Sequence, residues 1–342
     1  MIRASVVGAT GFTGAVLTDL LARHPQVRVH ALTSSSYEGL AVNEVFPHLR
    51  VEAEYQVYDP GHVAQSDVVF VCYPHAESFP VVSELVDAGT RVIDLSADFR
   101  LKEPGMYPEW YGFEHTRPDL VAETVYGLPE LYRKEIGRAR LVANPGCYPT
   151  SMLLGLLPLA GEFRLSGVVV DSKSGVSGAG RTATEKTHFC AVQDNFRAYS
   201  EIGHRHTAEM VQELSLAAGE HVPVSFTPHL LPVDRGILST IYCRLVDDGG
   251  KTVVVPTPAL HELYRARYEA EPFVEVVDAV PSLREVQETN YCRLAVRMDE
   301  AAGMVKIVSV IDNLIKGASG QAVQNMNIMC GFAEDMGLRE RA

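Results

Sequence analysis

The first twenty or so residues leave this chain few choices of fold. Ile2 to Val7 is a short apolar run, followed at once by Gly8-Ala9-Thr10-Gly11-Phe12-Thr13-Gly14 and then by Ala15-Val16-Leu17-Thr18-Asp19-Leu20-Leu21, which reads as a helix. Strand, glycine turn and helix in that order predict the opening unit of a doubly wound parallel sheet. Glycines allow a tight turn and let backbone N–H groups approach an anion at the helix N-terminus. Gly8, Thr10, Gly11, Phe12, Thr13 and Gly14 are therefore candidate contacts for the pyrophosphate of a dinucleotide. A Gly-x-x-Gly-x-x-Gly run alone is often no more than a turn. Here it opens the chain and a second strand, Val27 to Leu32, follows the helix, which favours the nucleotide reading.

The end of that second strand bears on which nucleotide is taken. An Asp or Glu there grips the ribose 2'-hydroxyl of NAD and repels a 2'-phosphate. This chain reads Thr33-Ser34-Ser35-Ser36, without an acid, so Ser34 and Ser36 are candidate contacts and NADP(H) is the expected cofactor. The alternation continues through Val68 to Cys72, a helix around Val81 to Ala88, and Arg91 to Leu95. After that last strand comes Ser96-Ala97-Asp98-Phe99-Arg100, at the strand-end edge where open α/β sheets place ligands. Ser96 is a candidate substrate contact, and Arg100 can clamp a phosphate or carboxylate bidentately unless it is merely a surface arginine.

Asn144-Pro145-Gly146-Cys147-Tyr148-Pro149-Thr150 carries the chemistry. Arg140 to Ala143 reads as a short buried strand and Ser151 to Leu157 as an apolar helix, so Cys147 falls at a helix N-terminus, and Asn144 just before it is a candidate substrate contact. The positive end of a helix dipole and its N–H groups favour a thiolate, and the same donors can hold an oxyanion during acyl transfer. A lone cysteine is more often a small buried hydrophobe; the Pro-Gly-Cys-aromatic-Pro setting is what singles this one out. A thiol nucleophile needs a proton partner, and Gly203-His204-Arg205-His206-Thr207 offers two imidazoles at a predicted helix entrance. Residue types alone do not choose between His204 and His206, while Arg205 can orient an anion.

Beyond Cys147 the pattern changes to longer strands: Gly167 to Asp171, Ile237 to Leu245, Thr252 to Val255, Phe273 to Val277 and Leu294 to Met298, the last pairing through Asp299 to Gly303 with Val305 to Ile311. These predict a second α+β domain on a mixed or antiparallel sheet. Asp171 to Arg181, rich in Gly and Ser, is expected to form an irregular loop that either approaches a ligand or is a plain surface connection; Ser177 and Gly178 are its candidate cofactor contacts. The expected domains are residues 1–146, joined by a C-terminal helix over 314–342, and residues 147–313.

Thirty basic against 43 acidic residues, a net charge of -13, argue against general nucleic-acid affinity and against a polybasic membrane anchor. Met1 to Val7 runs straight into a strand, without the pattern of a signal peptide, and a cytoplasmic protein is expected. The six cysteines lack a Cys-x-x-Cys pair, so they are expected as reduced thiols, and no metal site is expected at His204 and His206.

With these motifs in view, the chain resembles the N-acetyl-gamma-glutamyl-phosphate reductases of arginine biosynthesis, in their longer form. The resemblance covers nearly the whole chain. It rests on Gly8 to Gly14, Leu95 to Arg100, Tyr126-Gly127-Leu128-Pro129-Glu130, Asn144 to Thr150, Ser177 to Arg181, His204 to His206, Pro228 to Pro232 and Asp312 to Ala322. One position departs from the family pattern: Ser35 stands where an arginine is common. The resemblance implies two domains, an N-terminal Rossmann-type sheet and an α+β dimerisation and catalytic domain of the semialdehyde and glyceraldehyde-phosphate dehydrogenase type. It also implies a small acyl-phosphate substrate and a homodimer or homotetramer. Cys147 is then the thioester-forming nucleophile, His204 or His206 the acid and base, and Arg100 and Arg205 ligands of phosphate or carboxylate. Asn313 is placed to hold the nicotinamide carboxamide. Two alternatives share these residues: a reductase of carrier-bound aminoadipyl phosphate in lysine biosynthesis, whose substrate should want a basic docking surface, and a non-catalytic NADP sensor.

Overall fold

The alternation at the start of the chain builds a seven-stranded parallel sheet in the computed structural model, which describes residues 1–339. Its strands are β1 (Ile2–Val7), β2 (Val27–Thr33), β3 (Tyr55–Gln56), β4 (Val68–Val71), β5 (Arg91–Asp94), β6 (Val125–Tyr126) and β7 (Leu141–Ala143), in the order β3-β2-β1-β4-β5-β7-β6. Val68-Val69-Phe70-Val71 is buried along its whole length, as a strand covered on both faces must be. Helices α1 (Phe12–Arg23), α2 (Ser78–Asp87) and α3 (Pro129–Ile136) belong to this unit, which comprises Met1–Pro145 and the chain from Ala318 onward.

The helix expected over 314–342 is shorter. A π-helical turn, Ile315–Ser319, leads into an α-helix at Gly320–Met329. That helix stops because Gly331 adopts φ +69 and the amide of Phe332 turns back to the carbonyl of Asn327 at 2.9 Å, a left-handed C-terminal cap. Residues 340–342 of the expected span lie outside the described residues.

The second unit, Gly146–Gly317, is built on an eight-stranded mixed sheet. Its strands are β8 (Arg164–Ser174), β9 (Arg197–Ala198), β10 (Val224–Leu230), β11 (Ile237–Val246), β12 (Thr252–Val253), β13 (Val274–Val276), β14 (Cys292–Asp299) and β15 (Met304–Ile311). The Asp299 to Gly303 turn does pair β14 with β15, antiparallel. Two features depart from expectation. The segment expected as an irregular loop is strand through Ser174 and a 3-10 turn from Val176 to Ala179. Its serines are inward residues: Ser172 Oγ lies 2.7 Å from Ser239 Oγ, which in turn accepts a bond from Ser151 on the helix above. Strand β10 was not anticipated, because Pro228 interrupts it; Pro is tolerated there with only the two-residue β9 outside it.

Helices α4 (Cys147–Ala160), α5 (His206–Ala218) and α6 (Thr257–Tyr268) cover one face of this sheet. Every residue of α4 after Cys147 is buried. Pro158 within it has no N–H for the carbonyl of Leu154, and the hydroxyl of Tyr268 on α6 fills that vacancy at 2.5 Å. Gly155 lets α4 approach β11 closely: a Cβ there would lie 2.7 Å from Ile241 Cδ1. The opposite face carries the half-exposed partners of the alternation, such as Val169, Asp171, Lys173, Thr240 and Tyr242.

Candidate active site

Cys147 is the first residue of α4, and Gly146 is its N-cap with an extended backbone. The first intrahelical bond runs from Thr150 N–H to Gly146 O at 2.9 Å. Pro149 has no N–H, which leaves the amides of Cys147 and Tyr148 as the first-turn donors. Two contacts fix this turn. The amide of Gly146 donates to Oε1 of Glu209, a fully buried carboxylate on α5, at 2.8 Å. Gly317 presses against Cys147 itself, since a Cβ there would lie 2.8 Å from Cys147 Cβ. Cys147 remains half-exposed.

Both imidazoles reach this neighbourhood through Tyr148. Its ring centroid lies 5.8 Å from each of His204 and His206, and the two imidazoles are 5.0 Å apart. Their chemistry differs. Nδ1 of His204 accepts the amide N–H of His206 at 3.1 Å, and burial, helped by the charge of Arg205, pulls the His204 pKa down to about 4. His204 is thereby held neutral and serves as the entry bond of α5. His206 opens α5, and Glu209 sits one turn along on the same side. Arg205 is exposed, and among the described residues its guanidinium makes no ion pair or hydrogen bond. Tyr199, which the sequence did not single out, bonds the Tyr148 hydroxyl at 3.0 Å. Glu209 was legible only as the residue three after His206; Gly317 lies within the Asp312 to Ala322 run, and for Tyr199 no local signal existed.

Asn313 is 2% exposed, with its carbonyl accepting from Gly236 N–H at 2.7 Å and one amide hydrogen donated to Ser177 Oγ at 3.0 Å. Its second amide hydrogen has no acceptor among the described residues. Ser177 donates in turn to Asp234 O, while Gly178 is exposed.

In the first unit, the three glycines of the turn do different work. Gly8 has φ +78 and lies against Tyr73; a Cβ on Gly14 would meet Gly8 O at 2.5 Å. Gly11, the exposed N-cap of α1, would present its Cβ to open space. Packing thus explains Gly8 and Gly14 but not Gly11, whose bare backbone suits a ligand drawn close. Thr10, Phe12 and Thr13 stand around it half-buried. The turn therefore fits a dinucleotide pyrophosphate.

Four expected ligand contacts also make internal hydrogen bonds. Ser34 is buried, with its hydroxyl 3.2 Å from Thr10 Oγ1 and accepting from Ser36 N–H; Ser36 itself is exposed. Ser96 donates to the buried carboxylate of Asp94 at 2.7 Å and accepts from Asp98 N–H. Arg100 is not a surface arginine: at 6% exposure it donates to Asn144 O at 2.7 Å and Leu95 O at 3.0 Å. Asn144 has both ends of its amide engaged, donating to Ala318 O and accepting from Asn325. In each case the partner is main chain or a buried polar group that would otherwise go unsatisfied. Asp98, pushed up to about 7 by burial and by Asp94, accepts from the amides of Ala76 and Phe79 and so holds Ala76 at φ +67. Among the described residues no group of His, Cys, Asp and Glu could hold a metal, and no helix is long and apolar enough to cross a membrane.

These two units match known models in order. Residues 3–139 match the semialdehyde dehydrogenase NAD-binding domain, and residues 147–313 the semialdehyde dehydrogenase dimerisation domain. The solved aspartate semialdehyde dehydrogenase II of Vibrio cholerae superposes with a TM-score of 0.73 over 97% of this chain and 98% of its own, at 19% identity. The Candida albicans enzyme, solved with NADP, gives 0.73 over 96% and 99%, at 17% identity. Fold and domain models together define a semialdehyde-dehydrogenase-type protein with an NAD(P)-binding domain.

Its nearer kinship is seen in sequence. The N-acetyl-gamma-glutamyl-phosphate reductase of Pelotomaculum thermopropionicum is 49% identical over 98% of this chain and 97% of its own, and that of Geobacter metallireducens 49% identical over 99% and 98%. This chain belongs to the N-acetyl-gamma-glutamyl-phosphate reductase family.

Proposed function

We propose that the protein reduces N-acetyl-L-glutamyl 5-phosphate to N-acetyl-L-glutamate 5-semialdehyde and phosphate with NADPH, as a step of arginine biosynthesis. The observation that carries this is a half-exposed thiol at the first position of a buried helix, in a chain nearly half identical to such reductases along its whole length. Cys147 thiolate attacks the acyl carbon; the C–S bond forms, the C–O bond to phosphate breaks, and a thioester remains on the enzyme. The helix dipole and the amides of Cys147 and Tyr148 favour first the thiolate and then the oxyanion. His206 takes up the thiol proton, because His204 is held neutral with Nδ1 engaged. Glu209 orients the turn through Gly146.

NADPH, when bound, supplies hydride to the thioester carbon, after which the C–S bond breaks and the semialdehyde leaves. For that cofactor the glycine turn would hold the pyrophosphate, and Asn313 would hold the nicotinamide carboxamide. Ser177 and Gly178 shape the same place. Arg205, exposed and without an ion pair or hydrogen bond among the described residues, binds the anionic end of the substrate, and Arg100, Ser96 and Asn144 hold the loop that precedes Cys147. The second domain associates with a further copy of the chain, giving a homodimer or homotetramer.

Phosphate-dependent reduction of NADP with N-acetylglutamate 5-semialdehyde tests the reading. Turnover with this aldehyde, abolished in Cys147→Ser while nucleotide affinity is kept, is expected. Turnover only with a carrier-bound aminoadipate semialdehyde, or nucleotide binding without turnover on either, would contradict it.

A further inference from the structure

Beneath the first turns of α4 the sheet presents hydroxyls where its inward pattern is otherwise hydrocarbon. On β11 the inward neighbours of Ser239 are Ile237 and Ile241, and on β15 those of Ser309 are Ile307 and Ile311. Ser239 is the register partner of both Ser309 and Ser172, so three adjacent strands carry one row of serines. Ser172 Oγ lies 2.7 Å from Ser239 Oγ, and Cys292 Sγ on β14 extends the row, 3.5 Å from Ser309 Oγ. Ser151 meets the row from α4, its Oγ 2.9 Å from Ser239 Oγ and 3.1 Å from Ser309 Oγ. All five residues are fully buried.

A buried hydroxyl costs free energy that only a partner offsets, and alanines would have filled this space without that cost. What the hydroxyls add is direction. From Met152 to Ala160 α4 is apolar and buried all round, so no hydrophobic stripe sets its rotation about its own axis. Apolar contact is non-directional, whereas a hydrogen bond is narrow in both length and angle. Thr150 spends its hydroxyl within the helix, on Gly146 O at 2.9 Å, while Ser151 spends its own on the sheet. Tyr264 and Tyr268 on α6 hold carbonyls of α4 at Gly155 and Leu154, beyond Ser151. Cys147 stands four residues before Ser151, one turn along the same face.

We infer that Ser151 is a positioning residue for the thiol: seated on Ser239 and Ser309, it fixes the rotation of α4 and thereby the place of Cys147 Sγ at the helix N-terminus. The inference rests on the nucleophilic role proposed above for Cys147 and deepens it. A first turn that can rotate carries Sγ off the amides and the dipole that favour its anion.

Ser151→Ala and Ser172→Ala, made in the full chain, test this. Ser172 bonds Ser239 and, among the described residues, makes no bond to α4. Two quantities are read: steady-state kcat and KM, and the pH dependence of Cys147 alkylation by iodoacetamide, followed by mass analysis of the Cys147 peptide. Ser151→Ala is expected to lower kcat by on the order of tenfold with KM nearly unchanged, and to raise the midpoint of the alkylation profile by roughly half a pH unit. Ser172→Ala, an equal loss of buried hydroxyl, should leave both quantities at their wild-type values. Ser309→Ala removes one of the two seats; it should shift both in the same direction by less, and it supplies the reading if Ser151→Ala does not fold. Wild-type kcat and midpoint in whichever of these two variants folds, or equal losses from Ser172→Ala, overturn the inference. Alkylation needs neither substrate nor nucleotide, so a wild type that alkylates at Cys147 yet turns over nothing would sink the proposed reaction while the comparison of midpoints still decides the role of Ser151.

Discussion

Two helices of this protein begin where a strand has just ended, and their first turns are built to opposite ends. The turn before α1 is open: its N-cap Gly11 is exposed, lacks a side-chain cap, and faces no atom within 4 Å of where a Cβ would stand. The turn before α4 is closed: Gly146 is buried with its amide on Glu209, and Gly317 lies against the Cys147 Cβ. The same strand-end N-terminus can hold a diffusing anion or create a resident one. An open turn leaves its N–H groups to a ligand that comes and goes, while a closed turn spends them on a thiol and on the charge that develops beside it.

The comparison can be broken most directly at Gly317. Gly317→Ala should lower kcat by on the order of a hundredfold or more, since displacement of a reacting atom by about 1 Å has such effects, while nucleotide affinity stays put. Steady-state rates beside nucleotide titration check this; unchanged kcat would mean the closed turn tolerates slack. Next in size is the pair within the open turn. Gly14→Ala must push against the backbone of Gly8 and Ala9 and should cost roughly 2–4 kcal/mol of stability in denaturant melts, together with nucleotide binding. Gly11→Ala should cost no more than about 1 kcal/mol yet still weaken the nucleotide, and wild-type affinity in Gly11→Ala would show that the open space is not a binding surface.

Glu209→Gln keeps the shape of the group on Gly146 and removes its charge. A fall in kcat on the order of tenfold, with KM for substrate nearly unchanged, is expected from steady-state kinetics. The smallest effect is on acid stability. His204 titrates near 4 in the fold against an ordinary 6.5, so as pH falls the unfolded chain binds its proton first, and stability is lost between about pH 6.5 and 4. The contribution is on the order of 1–3 kcal/mol, and His204→Asn should flatten that limb of the stability profile by this amount. A limb as steep as the wild type's would show that His204 keeps an ordinary pKa.

What could be read from the chain alone divides along the same line. Both turns were legible because a strand, its glycines and the helix that follows are contiguous in sequence, and their order already limits the backbone. The partners that close the second turn were not, because they arrive from afar: Glu209 is 63 residues from Gly146. Ser34, Ser96, Arg100 and Asn144 were expected to face a ligand by virtue of their place at strand ends. Their side chains also serve the fold, since strand-end carbonyls such as Leu95 O and Asn144 O and the buried Asp94 need donors that the local sequence does not announce. Polar β8 was mistaken for loop beyond Asp171 for a related reason: Ser172 and Ser174 are inward residues whose partners on β11 and α4 the local pattern does not announce.

The central claim is that the closed turn creates a nucleophile that acts before any hydride arrives. Mixing the protein with N-acetylglutamyl 5-phosphate in the absence of NADPH, and following released phosphate with acid-quenched mass analysis of the Cys147 peptide, tests it. A burst of phosphate stoichiometric with enzyme and an N-acetylglutamyl adduct on Cys147, both lost in Cys147→Ser, is the predicted result. Phosphate release that waits for NADPH, or an equal burst from Cys147→Ser, would contradict it.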